Sequence, residues 1–159
     1  TYCHPEVASV GLTEKMATDK GYDFKIGKSI TLKNGKDISI FASGTMVKVA
    51  LDCSKILSKN NIDSEVVNVH TIKPIDSNKV NESAKNSKLI VSIEEHNVIG
   101  GLGSAIAECL VGIKNSPEQI FFGVNDSYSE GGDYNFLKEK FNLTPDFISK
   151  KIISKLKDI

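Results

Sequence analysis

The spacing of apolar residues changes repeatedly along the chain, and these changes predict alternating strands and helices. Short, nearly continuous apolar runs predict strands over residues 38–42, 65–69, 89–93 and 119–124. Between these runs, apolar residues recur at helical spacing and predict helices beginning near residues 46, 76 and 102. Asp133 is placed to cap a further helix. Thr144, followed by Pro145, is placed to cap the last one.

The order of strand and helix predicts an α/β fold. Parallel strands joined by right-handed crossovers carry helices on both faces of their sheet, so we expect a three-layer α/β/α domain. An additional edge strand is predicted over residues 25–32, turning through Asn34 and Gly35 into the strand at residue 38. Because Asn-Gly favours a hairpin turn, this edge strand is expected to run antiparallel.

Composition and charge exclude several classes of function. The 159 residues fit one domain, and 20 basic residues balance 20 acidic ones, so no global field attracts nucleic acid. No apolar run reaches the length of a membrane span. The three cysteines are widely spaced and predict neither a disulfide framework nor a zinc site, which favours a cytoplasmic location. Because the chain begins at Thr1, we expect a fragment or a processed product.

The glycine-rich segment over residues 94–104 is the most suggestive for binding. Strand ends in open α/β sheets gather ligands, and a glycine turn that opens a helix exposes N–H groups able to hold an anion. The spacing of Gly100, Gly101 and Gly103 matches no standard phosphate-binding motif. The favoured interpretation is therefore close packing of the helix on the sheet or on a partner subunit, with anion binding as the alternative.

Two histidines and two carboxylates lie at predicted strand ends. His70 and His96 could act as general acids or bases, although a structural role is favoured for each. Glu94 and Glu95 are adjacent on a strand and should point to opposite faces, so they cannot form a facing carboxylate pair. No catalytic, cofactor-binding or metal-binding residue is predicted. The candidate ligand or interdomain contacts are His70, Glu95, His96, Gly100, Gly101, Gly103 and Ser104.

Four ordered segments resemble the C-terminal domain of transketolases. They cover residues 35–47, 67–76, 94–105 and 129–134, and the resemblance is closest to transketolases encoded as two separate chains. Deoxyxylulose-phosphate synthase and the beta subunits of 2-oxoacid dehydrogenases share this domain. The resemblance implies a five-stranded, mostly parallel sheet with one antiparallel strand, and it assigns residues 24–159 to the domain.

The resemblance also implies a role. In this family, thiamine diphosphate and its magnesium ion lie between two other domains, which this sequence does not contain. The chain is therefore expected to support the dimer of a complete transketolase without binding the cofactor or catalysing ketol transfer alone. Its expected partner is the cofactor-binding domains or subunit, contacted through residues 94–104. The alternatives are a stand-alone regulatory module for a phosphorylated metabolite and a pure dimerisation domain.

The first residues resemble a different family. Residues 1–23 are similar to the start of the interface domain of dihydrolipoamide dehydrogenase, and the likeness extends to about residue 28. We therefore expect a leader segment of separate origin, as in a chimeric chain. His4 and Pro5 do not correspond to the catalytic His-Pro pair of that family, which lies later in its interface domain. The flavoprotein's redox and dinucleotide-binding regions are missing, so no flavin chemistry is expected.

Overall fold

The computed structural model describes residues 19–21, 27–127 and 131–159. A five-stranded sheet has the strand order β1-β3-β2-β4-β5. The strands are β1 (Ile30–Lys33), β2 (Ile38–Ala42), β3 (Ser64–Asn68), β4 (Leu89–Asn97) and β5 (Glu118–Val124). The helices are α1 (Met46–Lys59), α2 (Ser77–Asn86), α3 (Leu102–Leu110), α4 (Tyr134–Lys140) and α5 (Pro145–Lys157). The predicted leader over residues 1–23 lies outside the described residues except at positions 19–21.

Helices cover both faces of the sheet, which confirms the three-layer architecture. On one face, α1 and α5 pack over β2, β3 and β4, with Cys53, Leu57, Ile148 and Ile152 in the shared core. On the other face, α2 and α3 pack over the same central strands through Val80, Ala84 and Ile106. Four strands run parallel, as predicted from their nearly continuous apolar character.

The edge strand β1 runs antiparallel, as predicted, but the prediction that it pairs with β2 is wrong. It pairs with β3 and not with β2, so Asn34 and Gly35 do not close a hairpin. Residues 34–37, which link β1 to β2, cross the beginning of β3, where the amides of Lys36 and Asp37 donate to the carbonyl of Asp63. A Cβ at Gly35 would lie 2.6 Å from the carbonyl oxygen of Ser64, so glycine permits this close crossing. The strand also begins later than predicted, at Ile30.

Helix starts follow the predicted capping residues. The side chain of Thr144 accepts from the amide of Phe147, and Asp133 accepts from two amides of the first turn of α4. Asp76 accepts from the amides of Lys79 and Ser29, which ties the start of α2 to the segment before β1. Burial alone would raise the pKa of Asp76, but these hydrogen bonds outweigh it and lower that pKa.

Thr45 precedes α1, as predicted, but its side chain makes no capping bond to the helix. The hydroxyl donates to the carboxylate of Glu95 at the end of β4. The strand β4 itself is longer than predicted, since it continues past Ile93 to Asn97. These last residues of β4 carry the charged side chains of the candidate site. No helix within the described ranges is long and apolar enough to cross a membrane.

Candidate functional site

The carboxyl ends of β2 and β4 meet where the strand order reverses. The chain leaves β2 through α1 to reach β3 on one side, and then returns through α2 to β4 on the other side. In open α/β sheets this reversal leaves a crevice in which ligands bind. Here it contains a cavity of about 460 Å³. The lining includes the predicted residues Glu95, His96, Gly100 and Gly101, together with residues 43–45, Ile72 and Glu94.

The side chain of Glu94 occupies the start of α3. Its two carboxylate oxygens accept from the amides of Leu102, at 2.7 Å, and Gly103, at 2.9 Å. The group is only 2% exposed. A carboxylate at this position satisfies amides that the helix leaves unpaired and interacts favourably with the helix dipole. The site that could have held an external anion is therefore filled by a side chain of the protein itself.

Hydrogen bonds within the turn use further polar groups. The amide of Gly100 donates to the hydroxyl of Ser104 at 2.9 Å, and that hydroxyl donates to the carbonyl of Val98 at 3.0 Å. The amide of Ile99 donates to the side-chain oxygen of Asn97 at 2.8 Å. These bonds shape residues 97–104 into a turn that leads from β4 directly into α3.

The glycines of the turn allow close packing. At Gly101, a Cβ would overlap the Glu94 carboxylate and lie 2.7 Å from the carbonyl oxygen of Asn97. At Gly103, a Cβ would meet the ring of Phe121 and lie 2.7 Å from the hydroxyl of Ser92. The structure thus supports the close-packing interpretation of both glycines. Gly100 adopts a φ of 77°, a conformation that favours glycine.

Glu95 points away from Glu94, as expected for neighbours on a strand. It is exposed at the mouth of the cavity. One of its oxygens, Oε2, accepts from the hydroxyls of Thr45 and Tyr134, the latter at 3.1 Å. Glu95 therefore links the ends of β2 and β4 to the start of α4. The sequence pattern does not identify Thr45 or Tyr134 as partners of this carboxylate, because nothing local relates three positions so far apart in the chain.

The two predicted histidines do not come together at the cavity. His96 lies in its lining, and its Nδ1 is 2.9 Å from the carbonyl oxygen of Asn97. A carbonyl only accepts, so Nδ1 carries the proton and donates it. His70 is exposed after β3, with Nδ1 2.8 Å from the hydroxyl of Thr71, and it is not among the lining residues. The described residues contain no group of three side chains that could hold a metal ion.

Cysteine chemistry is not favoured in the described core. Burial raises the pKa of the Cys53 thiol to about 11, a shift that a hydrogen bond with Ser149 only partly opposes. Burial and the nearby Glu108 carboxylate also raise the pKa of Cys109. Because the thiolate is the nucleophile, both side chains are poor candidates for covalent catalysis near neutral pH.

A second groove adjoins the cavity. It has a volume of about 530 Å³ and shares Ile72, Gly100 and Gly101 with the first. The predicted site residue Ser104 lies in this groove, as does Lys73. The two spaces together form a continuous depression across the carboxyl edge of the sheet. Two apolar residues beside or within it are exposed, Ile72 to 39% and Ile99 to 69%.

Comparisons with known proteins agree on one family. The family described as the transketolase C-terminal domain matches residues 27–146. A 6-deoxy-6-sulfo-D-fructose transketolase subunit of Clostridium sp. strain MSTE9 is 45% identical over 123 residues, or 77% of this chain and 38% of that protein. A 1-deoxy-D-xylulose-5-phosphate synthase of Dictyoglomus turgidum is 35% identical over 156 residues, or 98% of this chain and 25% of that protein.

A solved structure gives the same result. A split gene transketolase, described as an inactive beta4 tetramer, superimposes with a TM-score of 0.79 and 37% sequence identity. The match covers 86% of this chain and 45% of that one. The chain therefore spans less than half the length of each of these relatives.

Proposed function

The chain belongs to the transketolase C-terminal domain family, and we propose that it is the supporting, non-catalytic part of a thiamine-diphosphate-dependent transketolase. The complete enzyme would transfer a two-carbon ketol unit between sugar phosphates in the cytoplasm. The observation that carries this proposal is the extent of the match. It is confined to the C-terminal domain and leaves more than half of a split gene transketolase chain without a counterpart.

The residues of the cavity do not fit thiamine diphosphate. A diphosphate would need the amides at the start of α3, and those of Leu102 and Gly103 already donate to Glu94. Magnesium prefers clustered oxygen ligands, and Glu94 and Glu95 point in different directions. We therefore assign the cofactor and its metal ion to the partner domains or subunit, and no catalytic step to this chain.

The same geometry argues against the regulatory alternative. A phosphorylated metabolite would also require free donors at the glycine turn, and it would meet the negative charge of Glu95 at the mouth of the cavity. The contact with the cofactor-binding partner is proposed to form at the depression lined by residues 94–104. A dimer of the complete enzyme would then hold two copies of this domain.

Reconstitution tests the proposed function. This chain, mixed with the two cofactor-binding domains of a split gene transketolase supplied without their own C-terminal domain, should yield ketol transfer from a ketose phosphate to an aldose phosphate, whereas neither component should do so alone. Calorimetry of the chain with thiamine diphosphate and magnesium should show no binding heat. Micromolar binding of the cofactor to this chain, or turnover by it unaided, would contradict the proposal.

A further inference from the structure

The cavity at the reversal of strand order presents acceptors at its mouth. Both hydrogen bonds of Glu95 within the described part of the chain are made by Oε2, so Oε1 accepts none there. In neutral His96, donation from Nδ1 leaves Nε2 as an acceptor. A group that binds to either of these two atoms must therefore bring a hydrogen-bond donor.

Several donors around the cavity are used within the protein. The amide of Gly100 donates to the hydroxyl of Ser104, and the amides of Leu102 and Gly103 donate to Glu94. The hydroxyl of Thr45 donates to Glu95 itself. An anion in this cavity would face the Glu95 carboxylate without a lysine or arginine in the lining, whereas anion sites provide positive charge.

The charges of the cavity lining also favour a ligand that brings hydrogen-bond donors. Two of the nine lining residues, Glu94 and Glu95, are carboxylates, and none is lysine or arginine. Glu94 is buried and its charge interacts with the start of α3, whereas Glu95 is exposed and unpaired by any cation within the described ranges. A cavity wall of this kind attracts a cationic group.

The surroundings of the cavity indicate a protein and not a small cation. Ile72 and Ile99 are exposed beside it, and the adjoining groove extends the depression by about 530 Å³. An apolar surface around a charged centre is typical of a site of protein association. In the relatives, more than half of the chain lies outside the part that this chain matches, and the proposed function places such domains against this one.

We propose that this cavity receives a lysine or arginine side chain of the cofactor-binding partner, and that Glu95 is the carboxylate that pairs with it. The inference rests on the proposed function, because it takes the partner from there. Thr45 and Tyr134 hold the Glu95 side chain in place through Oε2, which leaves Oε1 and the Nε2 atom of His96 for the incoming donors. Ile72 and Ile99 would pack against apolar side chains of the partner around this contact.

A titration with N-acetyl-argininamide tests the chemistry of the cavity. In amide NMR spectra of the full chain, this probe should shift the signals of Thr45, Glu95, His96 and Gly100. Neutral N-acetyl-glutaminamide and inorganic phosphate should leave those signals unchanged. The Glu95→Gln variant keeps an oxygen for Thr45 and Tyr134 but loses the charge, and the shifts should disappear. Equal shifts in that variant, or shifts caused by phosphate instead, would overturn the assignment.

Assembly with the two cofactor-binding domains of a split gene transketolase, supplied without their own C-terminal domain, tests the source of the cation. Glu95→Gln should weaken assembly by roughly tenfold or more and reduce its dependence on salt. Glu118→Gln makes the same change of charge at the opposite end of the sheet, and it should assemble like the wild type. If wild-type assembly restores ketol transfer and Glu95→Gln assembles equally tightly, the inference fails and the proposed function stands. If no activity is restored by any variant, the proposed function fails, and the docking contact fails with it.

Discussion

At the scale of single residues, Gly103 shows how closely α3 approaches the sheet. It is the second residue of the helix, and its carbonyl accepts from the side chain of Gln119 on β5 at 3.0 Å. The ring of Phe121 and the hydroxyl of Ser92 occupy the space that a side chain would need. Phe121 is 40% exposed and its ring can move aside, whereas Ser92 lies fully buried on the central strand β4.

The Gly103→Ala substitution should therefore lower the free energy of unfolding. Alanine favours a helix over glycine by about 1 kcal/mol, but overpacking a well-packed site costs about 1–3 kcal/mol. We expect a net loss of up to about 2 kcal/mol, measured by urea denaturation. Gly112→Ala is the control for an added methyl group, since Gly112 lies just past the end of α3 and nothing lies within 4 Å of its added Cβ. Equal stability of the two variants would contradict the proposed close contact.

The sequence could predict the glycine turn but not what fills it. Alternation along a strand shows that Glu94 and Glu95 face opposite ways, yet it does not show which one turns inward. That choice depends on β4 continuing to Asn97 and on the position of α3, both of which are set by contacts distant in sequence. The role of Glu94 at the start of α3 was therefore missed, although the residue itself was noticed.

At the scale of elements, α2 depends on a polar contact with the sheet. Its buried apolar residues are only Val80 and Ala84, so its apolar stripe is thin. A carboxylate on β3, Glu65, is 7% exposed and pairs with Lys79 at 2.5 Å. The same carboxylate accepts from the hydroxyls of Ser39 and Ser83. This buried group thus joins α2 to two strands.

Removing the cation from this contact should destabilise the domain strongly. Lys79→Ala leaves the Glu65 carboxylate buried with hydroxyl donors only, and breaking a buried ion pair in this way costs about 3 kcal/mol. Glu82→Ala is the control, because Glu82 lies 3.6 Å from the same Lys79 and its side chain is 63% exposed. That variant should change the free energy of unfolding by less than about 0.5 kcal/mol. Thermal unfolding of both variants is the measurement, and equal effects would contradict the buried role of Glu65.

The positions of the helices and strands were predicted more reliably than the pairing between strands. Apolar periodicity and capping residues such as Asp133 and Thr144 are local signals, and they located the helices and strands to within a few residues. The neighbour of β1 is not a local property. Both sides of β2 are taken by parallel strands, and the antiparallel strand pairs at the outer edge of β3. The Asn-Gly pair predicted a tight turn, but it did not determine which strand would pair with β1.

At the scale of the whole molecule, the sheet order decides where the site lies. The reversal between β2 and β4 follows from two crossovers in opposite directions, and it places three strand ends around one depression. Sequence reasoning located that edge of the sheet because parallel strands share it. It did not find Ile72, which joins the two cavities, since an exposed isoleucine in a loop carries no signal of its own.

The bounds of the domain predict how truncation affects the stability of the 159-residue chain. Both core clusters of the described residues are built from positions 38–156, and the family match begins at residue 27. We therefore propose that residues 24–159 form the folding unit and that residues 1–23 are a separate leader. A chain shortened to residues 24–159 should unfold in one transition, with a melting temperature within about 3 °C of the full chain, because a change below 1 kcal/mol shifts a domain of this size by that amount.

A second truncation is the control that shows whether the loss of a folded element lowers the melting temperature measurably. A chain that begins at residue 34 lacks β1 and the hydrogen bonds from Ser29 to Asp76, so one side of β3 loses its neighbour and the start of α2 loses its tie. Its melting temperature should fall well below that of the 24–159 chain in scanning calorimetry. If instead the 24–159 chain melts as low as this shorter one, residues 1–23 belong to the folding unit, and the proposed boundary is wrong.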